Sequence, residues 1–400
     1  MFKSLQPQQI INDLTSLYQV PIVDGDTLLF IDEIQASPEA IVALRYFYEE
    51  KPGLHIISAG SLLDISLNKL KYSMPVGRVE FAFMYPMTFR EFLLALNEHG
   101  LAKAINDFKF DDAFSHAVNS RILEFLRLYY FIGGMPEAVA YYASEKSLAG
   151  IEKIHSGLIQ SIQFDFSKYG TRKQQIYLKD VLQYVANNIG KKVKYSNINP
   201  NVHSSLLKDA FMKLEMSRII HLVRHTRSTS VPITQLQDDN VFKPVFLDIG
   251  LVNHIAGIRL VDLENLVTAF ESSLVEQFVL QELIAGSESF REQKLNYWVR
   301  EAKNSNAEID CLFQIENSIY PVEIKAGKRG TLRSMHVFLA EQKVETGIRF
   351  NIDTPSVGKG LKAKVNLPGN EQLTYNLLSF PLYFAGRLAK SGHLAIPGTG

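Results

Sequence analysis

Leu28-Leu29-Phe30-Ile31-Asp32-Glu33-Ile34-Gln35 is the stretch on which the reading of this chain turns. An apolar run leads straight into two adjacent carboxylates and then into a polar loop. A continuous apolar run of this kind reads as a strand buried on both faces of a parallel sheet. In such sheets ligands sit beyond the carboxyl ends of the strands, which is where Asp32 and Glu33 are delivered. An aspartate placed there can hold the magnesium ion of a bound nucleotide, in the Walker-B manner. A second carboxylate beside it can orient or polarise the attacking water. The same residues also suit a strand that merely ends in a solvated turn.

The flanking sequence extends the pattern. Residues 7–20 place Ile10, Leu14 and Leu17 on one helical face, with Pro7 suited to the first turn, and Asp24-Gly25-Asp26 turns the chain into the strand. Ser37-Pro38-Glu39 reads as an N-cap with proline at the first helical position, and that helix stops at Pro52-Gly53. Leu54 to Ser61 is a second apolar strand ending in small polar residues. A strand–helix–strand unit of this length sets its strands parallel. Ser58 and Ser61 then emerge at the same sheet edge as Asp32 and Glu33, where a hydroxyl can sense a terminal phosphate. Ser61 as a plain helix cap fits equally.

Residues 101–175 read as helical, interrupted by Gly133-Gly134-Met135-Pro136, a helix stop and restart. From Lys191 to Arg227 the charge is uneven, with Lys191, Lys192, Lys194, Lys208, Lys213, Arg218, Arg224 and Arg227 against Asp209 and Glu215. A helix ending near Gly190, a second from about His203 to Met216 and a strand at 218–223 spell a winged helix, a fold that lays one helix in the major groove of DNA. A solvated basic face with no partner is the plainer reading.

A second acidic set lies between 268 and 327. Glu276 falls between the apolar ridges of a helix over 269–283. Strands are expected at 297–299, 307–313 and 320–325, putting Glu308 with Asp310, and Glu323 with Lys325, at alternate positions. Asp310 on one strand and Glu-x-Lys on its hairpin partner form the PD-(D/E)XK pattern. Carboxylates in that pattern supply hard oxygen ligands for Mg2+, and Lys325 can position or activate a nucleophile. The alternatives are a solvent-facing set of charge pairs, or an inactive centre kept as a buried ion network. Cys311 points away from Asp310 and is expected to fill core.

The bounds are ordinary. The chain has 400 residues, 46% hydrophobic and 21% charged, with Lys+Arg and Asp+Glu both 42, so any nucleic-acid contact must come from a local patch. One cysteine excludes an intrachain disulfide, and no apolar run suits a membrane span or a secretory signal, so a cytoplasmic, membrane-free protein is expected. An oligomer is compatible with all of this.

Leu29–Gln35, Leu44–Glu49, Ala59–Leu63, Pro75–Val79 and Tyr85–Leu93 together resemble a large prokaryotic family of AAA-type ATPases. Its members carry a C-terminal domain of uncharacterised function related to PD-(D/E)XK nucleases. The resemblance implies that Asp32 and Glu33 are the Walker-B pair, with Asp32 on the metal, and that Gly60-Ser61 is the sensor region. It makes Arg78 a candidate charge-stabilising, cofactor-binding arginine, with a surface ion pair as the plainer role. It also implies ATP and Mg2+ as cofactors. The sequence contains no G-x-x-x-x-G-K-[ST], so it is expected to start after the family's first strand and P-loop, and not to hydrolyse ATP alone.

The expected architecture is α/β and multidomain. A partial P-loop NTPase-type parallel sheet spans 1–100, a helical lid 101–175, a winged-helix-like module 176–230, and a restriction-endonuclease-like α/β domain 231–390. A tail covers 391–400. The expected function is that of an AAA-type, nucleic-acid-associated protein with DNA contact through 191–227. The competing readings are a magnesium-dependent DNA nuclease acting through Asp310, Glu323, Lys325 and Glu276, and an interaction protein with relic sites.

Overall fold

The computed structural model describes residues 1–60, 75–110, 113–228, 230–258, 271–301, 307–325, 331–365 and 372–391. The chain divides into two compact units, Met1–Ala82 with Met212–Ile219, and Phe83–Phe211 with Ile220–Gly400.

In the first unit α1 (Pro7–Tyr18) precedes β1 (Leu28–Ile31), and α2 (Pro38–Glu50) joins it to β2 (His55–Ser58). The strands are parallel, as their connection requires, with Leu28 opposite His55 and Ile31 opposite Ser58. Ser37 caps α2 by accepting from the Ala40 amide, and Pro38 takes the first helical position. Ile10, Ile11, Ala43, Phe47 and Leu54 form the core, with Leu29 and Ile56 packed against it.

The expected burial of β1 on both faces does not hold. Leu29 faces the helices, whereas Leu28 and Phe30 are 54% and 55% exposed. Period-two alternation sends successive side chains to opposite faces, and the described sheet here has only two strands.

The second unit is built on an eight-stranded mixed sheet, in the order β4-β3-β5-β6-β7-β8-β10-β9. Its strands are β3 (Ile220–Thr226), β4 (Gln237–Phe246), β5 (Asn296–Val299), β6 (Glu308–Ile315), β7 (Ser318–Ile324), β8 (Thr346–Asn351), β9 (Ser356–Lys364) and β10 (Gln372–Pro381). The strand expected at 218–223 is β3, which pairs antiparallel with β4 at one edge of this sheet and runs parallel to β5.

Helices precede and accompany the sheet. After α3 (Phe89–Ala95), the region expected as a lid, 101–175, is helical: α4 (His99–Asp107), α5 (His116–Ile132), α6 (Pro136–Glu145) and α7 (Ile151–Asp165). There follow α8 (Arg172–Asn187), α9 (Ser204–Met216), α10 (Ile249–Ile255), α11 (Glu271–Ala285), α12 (Arg333–Gln342) and α13 (Ala385–Ser391).

α11 is the buried spine. Leu274, Val275, Phe278, Val279, Leu280, Leu283 and Ile284 are all buried, each worth roughly 1.5–3 kcal/mol on transfer from water. Its polar residues Gln277, Gln281 and Glu282 are buried too. Gln277 both donates to the carbonyl and accepts from the amide of Phe246, at 2.8 Å each, so its amide completes the end of β4. Glu282 accepts from the Phe89 amide at 2.8 Å, satisfying a donor in the first turn of α3.

The Gly133-Gly134 stop and the Asp248-Ile249-Gly250-Leu251 turn are one structure. α5 ends at Gly133, whose φ is +75°, and Asp248 caps α10 by accepting from the Leu251 amide at 3.0 Å. The other oxygen of Asp248 accepts from the Gly134 amide at 2.6 Å, across 114 residues of sequence. A side chain on Gly133 would put its Cβ 2.1 Å from Asp248 Oδ1, so the junction requires glycine.

Candidate functional site

The unit that carries the second acidic set runs α11–β5–β6–β7–α12–β8. Its three strands form an antiparallel meander, and α12 returns the chain so that β8 lies parallel to β7. Cys311 opposite Val322 fixes the register of β6 against β7. Asp310 accepts from the Ile324 amide at 2.8 Å, which sets it beside Glu323. Lys325 Nζ is paired with Glu323 Oε1, and Glu323 is only 4% exposed with its Oε2 buried and without a hydrogen-bond partner among the described residues. Cys311 is fully buried, as expected of a small core residue, and burial pushes its thiol far above the ordinary range.

Glu276 joins this set from α11, but through a residue the motif does not contain. Lys243, on β4, places its Nζ 3.0 Å from Glu276 Oε1 and 2.6 Å from Glu308 Oε1. Lys192 reaches the other oxygen of Glu308 at 2.9 Å. The ring of Tyr297 lies under both ammonium groups, 5.3 Å from Lys243 Nζ and 5.6 Å from Lys192 Nζ. Gly190, with φ +71°, lets the chain pass: a Cβ there would stand 2.6 Å from Glu276 Oε2.

The electrostatics follow from burial and pairing. Burial raises Glu276 to about 7, against the opposing charge of Lys243 and with repulsion from Asp310. Burial also raises Glu323 to about 7, again with Asp310 repelling it. Asp310 is shifted upward by burial. Glu308 goes the other way, because Lys243 and Lys192 outweigh its burial. Burial works against the charge on Lys243, but Glu276, Glu308 and Asp310 hold it above the ordinary lysine range.

The structure therefore brings Asp310, Glu323, Lys325 and Glu276 into one electrostatically connected centre. Sequence reasoning missed Lys243 and the part played by Lys192. A lysine inside the apolar strand Phe242-Lys243-Pro244-Val245-Phe246 was the available signal, since a buried ammonium needs carboxylates. A magnesium ion, as the motif implies, does not fit this arrangement. Lys325 takes one oxygen of Glu323, Lys243 takes one oxygen each of Glu276 and Glu308, and among the described residues no group of three His, Cys, Asp or Glu side chains is placed to hold a metal.

The first acidic pair lies in the other unit. Asp32 and Glu33 follow β1 at the sheet end where Ala59 follows β2, the Ile34 amide donating to the Ala59 carbonyl at 2.9 Å. Asp32 is exposed and accepts from the Glu33 amide at 2.9 Å. Glu33 has a left-handed φ of +48° and its carboxylate accepts from Gln35. Arg78 is held by Glu49 at 3.2 Å and by the Val76 carbonyl, so its guanidinium serves a surface ion pair. Ser61 lies outside the described residues.

The uneven charge of 191–227 is largely matched in three dimensions. Lys192 meets Glu308, Arg224 meets Asp239 at 3.3 Å, and Arg227 meets Glu301 at 3.6 Å, all acidic partners from outside the stretch. Lys191 and Lys194 remain exposed.

Comparison with known families divides the chain into matched segments. Residues 2–93 match an AAA domain, residues 123–262 a domain of unknown function (DUF8612), and residues 271–360 another domain of unknown function (DUF4143). No curated protein matches, and no solved structure does. The AAA-domain and DUF4143 matches are similarities of those two segments and support an AAA-type ATPase-like reading, and the AAA family is one that uses ATP and Mg2+. No described helix is long and apolar enough to cross a membrane.

Proposed function

We propose that this AAA-type ATPase-like chain is a nucleic-acid-associated protein whose C-terminal half is a nuclease-like domain that binds a phosphodiester backbone without cutting it. One observation carries the reading. Asp310 and the Glu323-x-Lys325 pair sit on adjacent strands of a helix–three-strand–helix–strand unit, and Glu276 on its first helix interacts electrostatically with Asp310. That order of elements and residues is the PD-(D/E)XK pattern. Lys243, which lies outside that pattern and pairs with Glu276 and Glu308, argues for binding over hydrolysis.

The exposed Lys191 and Lys194 are the charges available to phosphates. Fluorescence anisotropy with labelled duplex DNA tests the reading across a salt series. The logarithm of the affinity is expected to fall linearly with the logarithm of salt, and the affinity to weaken in Lys191→Glu/Lys194→Glu. No binding at low salt would contradict it. Plasmid nicking in Mg2+ covers the enzymatic alternative. No nicking is expected from the wild type, and nicking lost in Asp310→Asn would establish the nuclease instead.

A further inference from the structure

We propose that the Lys243 ammonium is a resident counter-cation that excludes divalent metal ions from the acidic centre of the second unit. The proposal rests on the nuclease-like reading only for the class of ion it names, a divalent cation that prefers hard oxygen ligands. Lys243 does not belong to the Asp and Glu-x-Lys pattern. It arrives from β4, 33 residues before Glu276, with a side chain only 4% exposed. Its nitrogen lies 3.0 Å from Glu276 and 2.6 Å from Glu308, so one ammonium bridges carboxylates from a helix and from a strand. A metal ion drawing on these oxygens would have to displace it, since two cations cannot share the same lone pairs at such distances.

A second observation shows that the centre has ligand capacity beyond what lysine satisfies. Glu323 is 4% exposed, one of its oxygens is held by Lys325, and the other, Oε2, is buried with no hydrogen-bond partner among the described residues. Asp310 stands beside it through its bond to the Ile324 amide. Hard oxygen donors are thus gathered in one buried place, and Lys243 supplies the charge that a metal would otherwise bring. The Tyr297 ring under the ammonium, and the close approach of Gly190 to Glu276, hold the bridge in position. The lysine is therefore a positioning residue that sets which cation the centre accepts.

The test is Mn2+ binding to the full chain at pH 8 without nucleic acid, by calorimetry and by the loss of the free-ion paramagnetic resonance signal. Wild type is expected to show no saturable site that depends on Asp310. Lys243→Met keeps an unbranched apolar stem and removes the ammonium, and it is expected to gain a site at least tenfold tighter than any in wild type. Lys243→Met/Asp310→Asn is expected to lose that site again. Should Lys243→Met not fold in buffer, millimolar Mn2+ is expected to restore its thermal transition. The proposal is overturned by a wild-type Mn2+ site that Asp310→Asn removes, by a folded Lys243→Met with no gain, or by an unfolded one that Mn2+ does not rescue. Nucleic acid is absent throughout, so a failure to bind DNA leaves these outcomes unchanged.

Discussion

Lys243 is where residue chemistry decides most. A buried ammonium costs several kcal/mol of desolvation and is tolerated only with good partners, which Glu276 and Glu308 supply. Removing one partner of such a pair leaves the others buried and uncompensated, so Lys243→Met is expected to lose about 3–5 kcal/mol in urea unfolding without metal. Asp310, Glu323, Lys325 and Glu276 were legible because strand and helix periodicity fall within one short segment. Lys243 and Lys192 were not, because no local pattern says which distant carboxylate a lysine will meet. Glu282 gives a separate test through pH. It is fully buried and raised to about 8 by that burial, partly offset by the bond from the Phe89 amide. Between its unfolded value, about 4.3, and about 8 the folded state binds more protons than the unfolded one. Stability therefore falls as pH rises through that window, by up to about 1.4 kcal/mol per pH unit for one proton. Glu282→Gln keeps an acceptor for Phe89 and cannot titrate, so its urea midpoint is expected to fall less between pH 5 and 8. Parallel curves for the two proteins would refute this assignment.

At the scale of elements, the boundaries that local chemistry sets were readable. Pro7, Ser37-Pro38 and Pro136 open helices as their types demand, and the parallel pairing of β1 with β2 follows from the helix between them. Burial was not readable in the same way. The run at 28–31 looks buried on both faces, yet Leu28 and Phe30 are exposed, because a strand's environment depends on what packs on each face. Nor does the basic stretch form a free patch, since Glu308, Asp239 and Glu301 come to it from elsewhere. The junction of α5, α6 and α10 makes a prediction of its own. Gly133→Ala would force a Cβ into the Asp248 carboxylate at positive φ, and a loss of about 2–4 kcal/mol is expected. Asp248→Ala removes the α10 cap and strands the Gly134 amide, for about 2–4 kcal/mol. The double variant should cost clearly less than the sum, because both changes break one contact. Additive losses in thermal unfolding would show that the two turns are independent.

For the whole molecule, a balance of 42 basic and 42 acidic residues makes any partner a matter of local arrangement. The chain places one exposed carboxylate pair at the end of β1 in its first unit, and one buried, lysine-bridged set in its second. Both were visible in sequence as acidic residues at strand ends, but their environments were not, and environment separates a metal site from an ion network. The most direct measurement is anomalous diffraction at the manganese edge from crystals of the wild-type chain grown in millimolar Mn2+. The result expected is Lys243 Nζ bridging Glu276 and Glu308, with no anomalous peak within coordination distance of Asp310. A manganese ion bound by Asp310 and Glu323, with Lys243 displaced, would contradict it.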